Sequence, residues 1–174
     1  MEKEALLIID MLDDFVLPGA PLEVSSARRI IAPLKLSIAQ ARRKEIPVMY
    51  LCDSHSKDDP EFARMGWPPH AIAGSRGAQV VNELMPLPRD PVIKKKGYSG
   101  FFKTSLERLL QQRGITKLIV TGCVTNICVL YTVADAVQRG YRVTVYRDCV
   151  AALNASDQRF SLQQMKEVLG VRVV

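Results

Sequence analysis

Leu118-Ile119-Val120-Thr121-Gly122-Cys123-Val124-Thr125-Asn126-Ile127-Cys128-Val129 reads as an apolar strand, a small polar turn and the opening of a helical pattern. The same alternation runs outward in both directions. Strand-length apolar runs fall at 5–9, 47–52, 92–95, 117–121, 142–146 and 171–174. Helical patterns fall at 27–44 behind a Ser25-Ser26 cap, at 77–84, at 104–112 closed by Gly114, at 128–139 closed by Gly140, and at 156–168. Pro33 fits poorly inside the first of these and suggests a kink or a later start. Near-continuous apolar strands alternating with helices imply an α/β fold with a mainly parallel sheet and helices on both faces. The expectation is a single three-layer α/β/α domain over residues 1–174, with no internal repeat or linker.

In the opening stretch, Cys128 stands at the start of the new helical pattern. Free backbone N–H groups and the positive end of the helix dipole lower a thiol's pKa there and favour the thiolate. The same N–H groups suit an oxyanion forming on a substrate carbonyl. Taken alone, Cys128 reads more readily as a small buried apolar residue.

Composition narrows the setting. The chain has 174 residues, 48% of them hydrophobic, enough for one well-buried core. No apolar run approaches the roughly 20 residues of a membrane span, and the start, Met1-Glu2-Lys3-Glu4, runs straight into a strand, so a cytoplasmic location is expected. The four cysteines, Cys52, Cys123, Cys128 and Cys149, show no zinc-ribbon spacing and are too sparse for a disulfide scaffold. The net charge of +6 is scattered and aromatics are only 6%, which argues against nucleic acid as a partner. The first strand is followed by Asp10 and lacks a G-x-G-x-x-G turn, so dinucleotide binding is not indicated.

In parallel sheets, ligands bind beyond the carboxyl ends of the strands. Asp10, Asp53, Lys95 and Gly122 all fall at or just past such ends. The segments Ile9-Asp10-Met11-Leu12-Asp13-Asp14-Phe15, Asp53-Ser54-His55, Trp67-Pro68-Pro69-His70 and Lys95-Lys96-Gly97-Tyr98-Ser99-Gly100-Phe101, with the turn at 122–129, together resemble the isochorismatase-like cysteine hydrolases, and within them the nicotinamidase branch. The resemblance runs from about Leu6 to Ala151 and implies a Rossmann-like topology. It maps Cys128 onto the nucleophile, Asp10 onto the general acid/base and Lys95 onto the lysine that supports both. It implies an oxyanion hole from the backbone N–H groups of Val124 and Cys128, with a cis peptide at Cys123–Val124. Strand alternation sends Lys94 and Lys96 to the face opposite Lys95. Cys123 and Cys149 read as packed structural thiols, and Asp13 and Asp14 as surface groups.

The chain's two histidines, His55 and His70, fall with Asp53 on the family's metal positions, a mixed N/O set suited to zinc, with manganese or iron as alternatives. Glu61 is the best candidate for a fourth ligand, with Asp58 and Asp59 as fallbacks. Phe15 and Trp67 match the aromatic faces that sandwich a flat heteroaromatic substrate, and Tyr98 either lines the pocket or merely packs. The implied activity is hydrolysis of nicotinamide to nicotinate and ammonia through a cysteine thioester. Rival readings are a carbamoyl or ureido amide hydrolase, a vinyl-ether hydrolase, or a non-catalytic small-molecule binder of the same fold. A homo-oligomer, dimer or larger, is expected.

Overall fold

The computed structural model describes residues Glu2–Val174. Six strands, β1 (Lys3–Ile9), β2 (Val48–Asp53), β3 (Val92–Lys95), β4 (Ile115–Cys123), β5 (Arg142–Ala151) and β6 (Arg172–Val173), form one sheet in the order β3-β2-β1-β4-β5-β6. Every neighbouring pair is parallel. The helices are α1 (Asp13–Val16), α2 (Ala27–Arg43), α3 (Pro60–Met65), α4 (Leu106–Gln112), α5 (Leu130–Gln138) and α6 (Ala155–Glu167). No described helix is long and apolar enough to cross a membrane.

The period of two along each strand divides the core. Leu6 and Ile8 of β1, with Val48 and Tyr50 of β2, pack under Ile30, Leu34, Ile38 and Ala41 of α2. Ala5, Leu7 and Ile9, with Met49 and Leu51, face the other way against Leu106 and Leu110 of α4, Val133 and Ala136 of α5 and Met165 of α6. Both faces of the central strands are therefore covered, which is why those strands read as continuous apolar runs. The buried stripe on α2 also carries that helix from Ala27 through Pro33 to Arg43, so the expected late start is absent. Packing of the stripe offsets the lost backbone hydrogen bond.

Several element boundaries differ from the expectation, three of them by more than a residue or two at an end. Residues 77–84 form two short 3₁₀ turns, Arg76–Ala78 and Asn82–Leu84, because Val80 and Val81 between them pair in extended form with Leu12 and Met11. Strand β5 runs five residues past 146. Residues 125–129 form a wide π-helical turn before α5 begins, so Cys128 lies inside that turn and not at the start of a regular helix. Val129 and Val133 are fully buried in the chain's own core and offer nothing to a partner.

The strand order reverses between β1 and β4, the point where ligands gather in such sheets. Gly122 makes the junction possible. Its φ is +109°, and a Cβ there would sit 2.0 Å from the carbonyl oxygen of Ile9. The chain after β4 can thus turn tightly against the end of β1. Gly122→Ala is expected to lower unfolding stability by roughly 3 kcal/mol or more, from backbone strain plus the clash. Denaturant melts check this, and a loss below about 0.5 kcal/mol, the range of an ordinary surface change, contradicts it.

Candidate active site

Three strand ends deliver three charged groups to one place. Asp10 follows β1, Asp53 ends β2 and Lys95 ends β3, and the sheet register sets Asp53 directly beside Lys95. The Lys95 ammonium, fully shielded from solvent, lies 2.7 Å from Asp10 Oδ2 and 2.5 Å from Asp53 Oδ1. It also donates to the Gly97 carbonyl at 3.2 Å and to the Cys128 sulfur at 3.4 Å. Asp10 Oδ1 accepts the Asp53 backbone N–H at 2.8 Å. Asp10 adopts a positive φ of 49°, rare for a residue with a Cβ, which turns its carboxylate back towards Lys95. The burial alternation along β3 selects Lys95 and leaves Lys94 exposed. Lys96 departs from the expected opposite face: β3 ends at Lys95, and Lys96 turns to line the mouth of the cavity described below.

Burial and the adjacent Asp53 charge push the Asp10 carboxyl up to about 6, against the pull of Lys95. Burial opposes charge on Lys95, but Asp10 and Asp53 outweigh it and hold the ammonium firmly protonated. Burial likewise works against ionisation of Asp53, and the Lys95 charge overcomes it. Burial pushes the Cys128 thiol well above the usual thiol range; Lys95 pulls it down, but Asp10 and Asp53 push it further up. The expected resting thiolate is therefore corrected to a neutral thiol, because two nearby carboxylates and burial prevail over one ammonium. Cys123, the rival thiol, is fully buried, and its S–H donates to the Asp10 carbonyl at 3.1 Å, a structural contact at the β1–β4 junction. The Cys123–Val124 peptide is cis.

Asp10, Asp53 and Cys128 line a cavity of about 240 Å³, and Lys95 is buried behind them. Phe15, Trp67, Tyr98, Val124, Ile127 and Leu153 make it largely apolar, and Asp10, Asp53, His55, Glu61, His70 and Cys128 supply its polar side. Phe15 and Trp67 both meet the His70 ring edge-on, with centroids 5.6 and 6.0 Å away. Tyr98, left open by the sequence, lines the cavity beside Trp67.

Donor atoms of Asp53, His55 and His70, all buried, lie within 4.8 Å of one another. His55 Nδ1 is 3.2 Å from Asp59 Oδ2, and His70 Nδ1 is 2.9 Å from the Pro68 carbonyl. Both Nδ1 atoms are thus occupied, and both Nε2 atoms are left to face an ion, the arrangement that orients metal-bound histidines. The residues fit a zinc-type ion. Asp59, a fallback ligand by sequence, instead holds His55 from behind and caps α3 by accepting the Glu61 N–H. Glu61 is buried in the same cavity, but its carboxylate gathers with His55 and Asp59 and not with the Asp53–His55–His70 set.

Asp14 is a positioning residue that escaped the sequence reading. Asp14, expected at the surface, accepts the Ala71 N–H at 2.8 Å and so fixes the segment that carries His70. Gly77 leaves room for that carboxylate, since a Cβ there would lie 2.1 Å from its oxygen. The pairing spans 57 residues of sequence and leaves no local pattern.

The Isochorismatase domain model matches residues 4–173. An Arabidopsis thaliana relative described as a "Probable inactive nicotinamidase" is 33% identical over 94% of this chain and 88% of its own length. Among solved structures, N-carbamoylsarcosine amidase from Thermoplasma acidophilum is 35% identical with a TM-score of 0.88, covering 98% of this chain and 95% of that one. Nicotinamidase/pyrazinamidase of Bacillus subtilis is 30% identical with a TM-score of 0.93, covering 99% of each chain. The pyrazinamidase of Pyrococcus horikoshii in complex with zinc is 31% identical with a TM-score of 0.91, covering 99% and 98%.

The donor set makes a measurable prediction. Equilibrium dialysis against zinc is expected to show one tightly held ion, lost in His70→Ala. Asp59→Asn, which keeps every candidate ligand, is expected to weaken the affinity about tenfold to a hundredfold. Unchanged affinity in Asp59→Asn contradicts the orienting role. By its matched model and its relatives, this chain belongs to the isochorismatase family.

Proposed function

We propose that this isochorismatase-family hydrolase cleaves a small carboxamide through a thioester on Cys128, with nicotinamide as the substrate. The observation that carries the reading is that Asp10 and Cys128, both held by the buried Lys95, line the same aromatic cavity as the Asp53, His55 and His70 donors. A flat heteroaromatic amide uses both sets of groups. Its ring stacks on Phe15 and Trp67, and its ring nitrogen faces the donor side. A zinc-type ion held by Asp53, His55 and His70, with Glu61 close by, would supply Lewis-acid anchoring for that nitrogen.

The chemistry belongs to the chain's own residues. Asp10 takes the Cys128 proton as sulfur bonds to the carbonyl carbon. The N–H groups of Val124 and Cys128 are assigned to the oxyanion. Collapse breaks the C–N bond, and Asp10 returns its proton to the departing ammonia. Water then attacks the thioester, Asp10 takes one of the water's protons, and the C–S bond breaks to release the carboxylic acid, which ionises in solution. Asp10 finally reprotonates the sulfur. Lys95 stays protonated throughout and stabilises whichever neighbour is anionic.

A second reading, hydrolysis of a carbamoyl amide, is favoured by the N-carbamoylsarcosine amidase likeness. It needs neither an aromatic sandwich nor the histidine donors. Ammonia release from nicotinamide and from a panel of ureides separates the two. The account predicts release from nicotinamide that is lost in Cys128→Ala and after chelation. Release from ureides alone, untouched by the chelator, overturns the nicotinamide assignment.

The rate should also carry an acid limb. Only ionised Asp10 accepts the thiol proton, and its carboxyl titrates at about 6. The kcat/KM is expected to fall about tenfold per pH unit below that value and to level off above it. A profile flat down to about pH 5 contradicts Asp10 as the base.

A further inference from the structure

The turn that carries Cys128 is braced from outside the cavity by one side chain. Gln158 lies near the start of α6, four residues past the capping Asn154. Its Oε1 accepts the hydroxyl of Thr125 at 2.7 Å, and its Nε2 donates to the Val150 carbonyl at 3.1 Å. Thr125 is fully buried and opens the π-helical turn, directly after Val124 and three residues before Cys128. Val150 stands opposite Gly122 in the β4–β5 pairing. A single amide therefore closes a ring of contacts from Gly122 through the turn to Thr125, across to Gln158, and back through Val150.

The orientation of that amide follows from its partners. A backbone carbonyl accepts only, so the NH₂ group must face Val150. The amide oxygen then faces Thr125, whose hydroxyl must donate. No other residue type of this length presents a donor and an acceptor at once. Anchoring α6 does not require the pair, because Met165 is fully buried in the core and Ser161 hydrogen-bonds within the helix.

We infer that Gln158 is a positioning residue for the reaction: through Thr125 it holds the turn so that the N–H groups of Val124 and Cys128 stay aimed at the oxyanion. The inference rests on the thioester reading above. It places a determinant of rate on a helix that contributes no side chain to the cavity.

The test uses Gln158→Met, which keeps length but loses both hydrogen bonds, and Thr125→Val, which keeps shape but loses the hydroxyl. The double variant is made beside them. The first readout is binding of pyridine-3-carbaldehyde, which needs no turnover. Its carbonyl carbon bonds to the Cys128 sulfur, the thiol proton moves to Asp10, and the carbonyl oxygen becomes the oxyanion. The second is alkylation of Cys128 by iodoacetamide, which forms no oxyanion. The third is kcat against KM for the amide.

Aldehyde affinity and kcat are expected to fall together, about tenfold to a hundredfold. KM is expected to stay within about threefold, and alkylation within about twofold. The double variant should lose no more than the worse single one, because both remove the same link. Wild-type aldehyde affinity in the variants, losses that add in the double variant, or alkylation that slows in parallel all overturn the inference. If Gln158→Met fails to fold, Thr125→Val and its effect on aldehyde affinity decide the question. A wild-type protein that neither binds the aldehyde nor releases ammonia overturns the thioester reading itself, and that failure is seen before any variant is compared.

Discussion

A buried ammonium between two buried carboxylates organises this molecule. Lys95, at the end of β3, lies within 2.7 Å of Asp10 and of Asp53. None of the three would carry charge alone at that depth, since each has left water almost completely. Together they compensate one another and tie the ends of three neighbouring strands. The fold serves that contact. Parallel register sets Asp53 beside Lys95, a positive φ swings Asp10 back to meet them, and Gly122 lets the chain after β4 close over the result.

The same contact decides the protonation states. Burial already disfavours a Cys128 thiolate, two carboxylates against one ammonium add to that, and the thiol stays protonated. The site therefore does not keep a standing thiolate. It keeps a neutral thiol beside a carboxylate that titrates at about 6 and can receive the proton when a carbonyl arrives. Asp53 belongs to both halves of the cavity, since one oxygen meets Lys95 and the carboxylate also joins the two histidines.

Much of this was legible in the sequence, and what was legible shares a cause. The strand runs, the alternation that picks Lys95 over Lys94, and the placement of Asp10, Asp53 and Lys95 at strand ends are all consequences of local period. What escaped reading is non-local or collective. Asp14 holding Ala71, and Gln158 holding Thr125, are pairings between distant segments with no periodic trace. Residues 77–84 have a helical pattern, yet Val80 and Val81 pair with the loop after β1 instead. The Cys128 proton was misjudged because a helix start suggests a thiolate, whereas burial and neighbouring charges settle the balance. Those are sums over the assembled site, and no short stretch of sequence contains them.

The central claim is that burial, together with the two carboxylates of the charge triplet, keeps Cys128 protonated until substrate arrives. Titrating thiolate absorbance in the ultraviolet tests it most directly. Cys52, Cys123, Cys128 and Cys149 all have their pKa values raised above the ordinary 9.0, so no other thiol obscures the signal. The account predicts no thiolate in the free protein between about pH 6 and pH 8. A thiolate step near neutral pH that disappears in Cys128→Ala would contradict it.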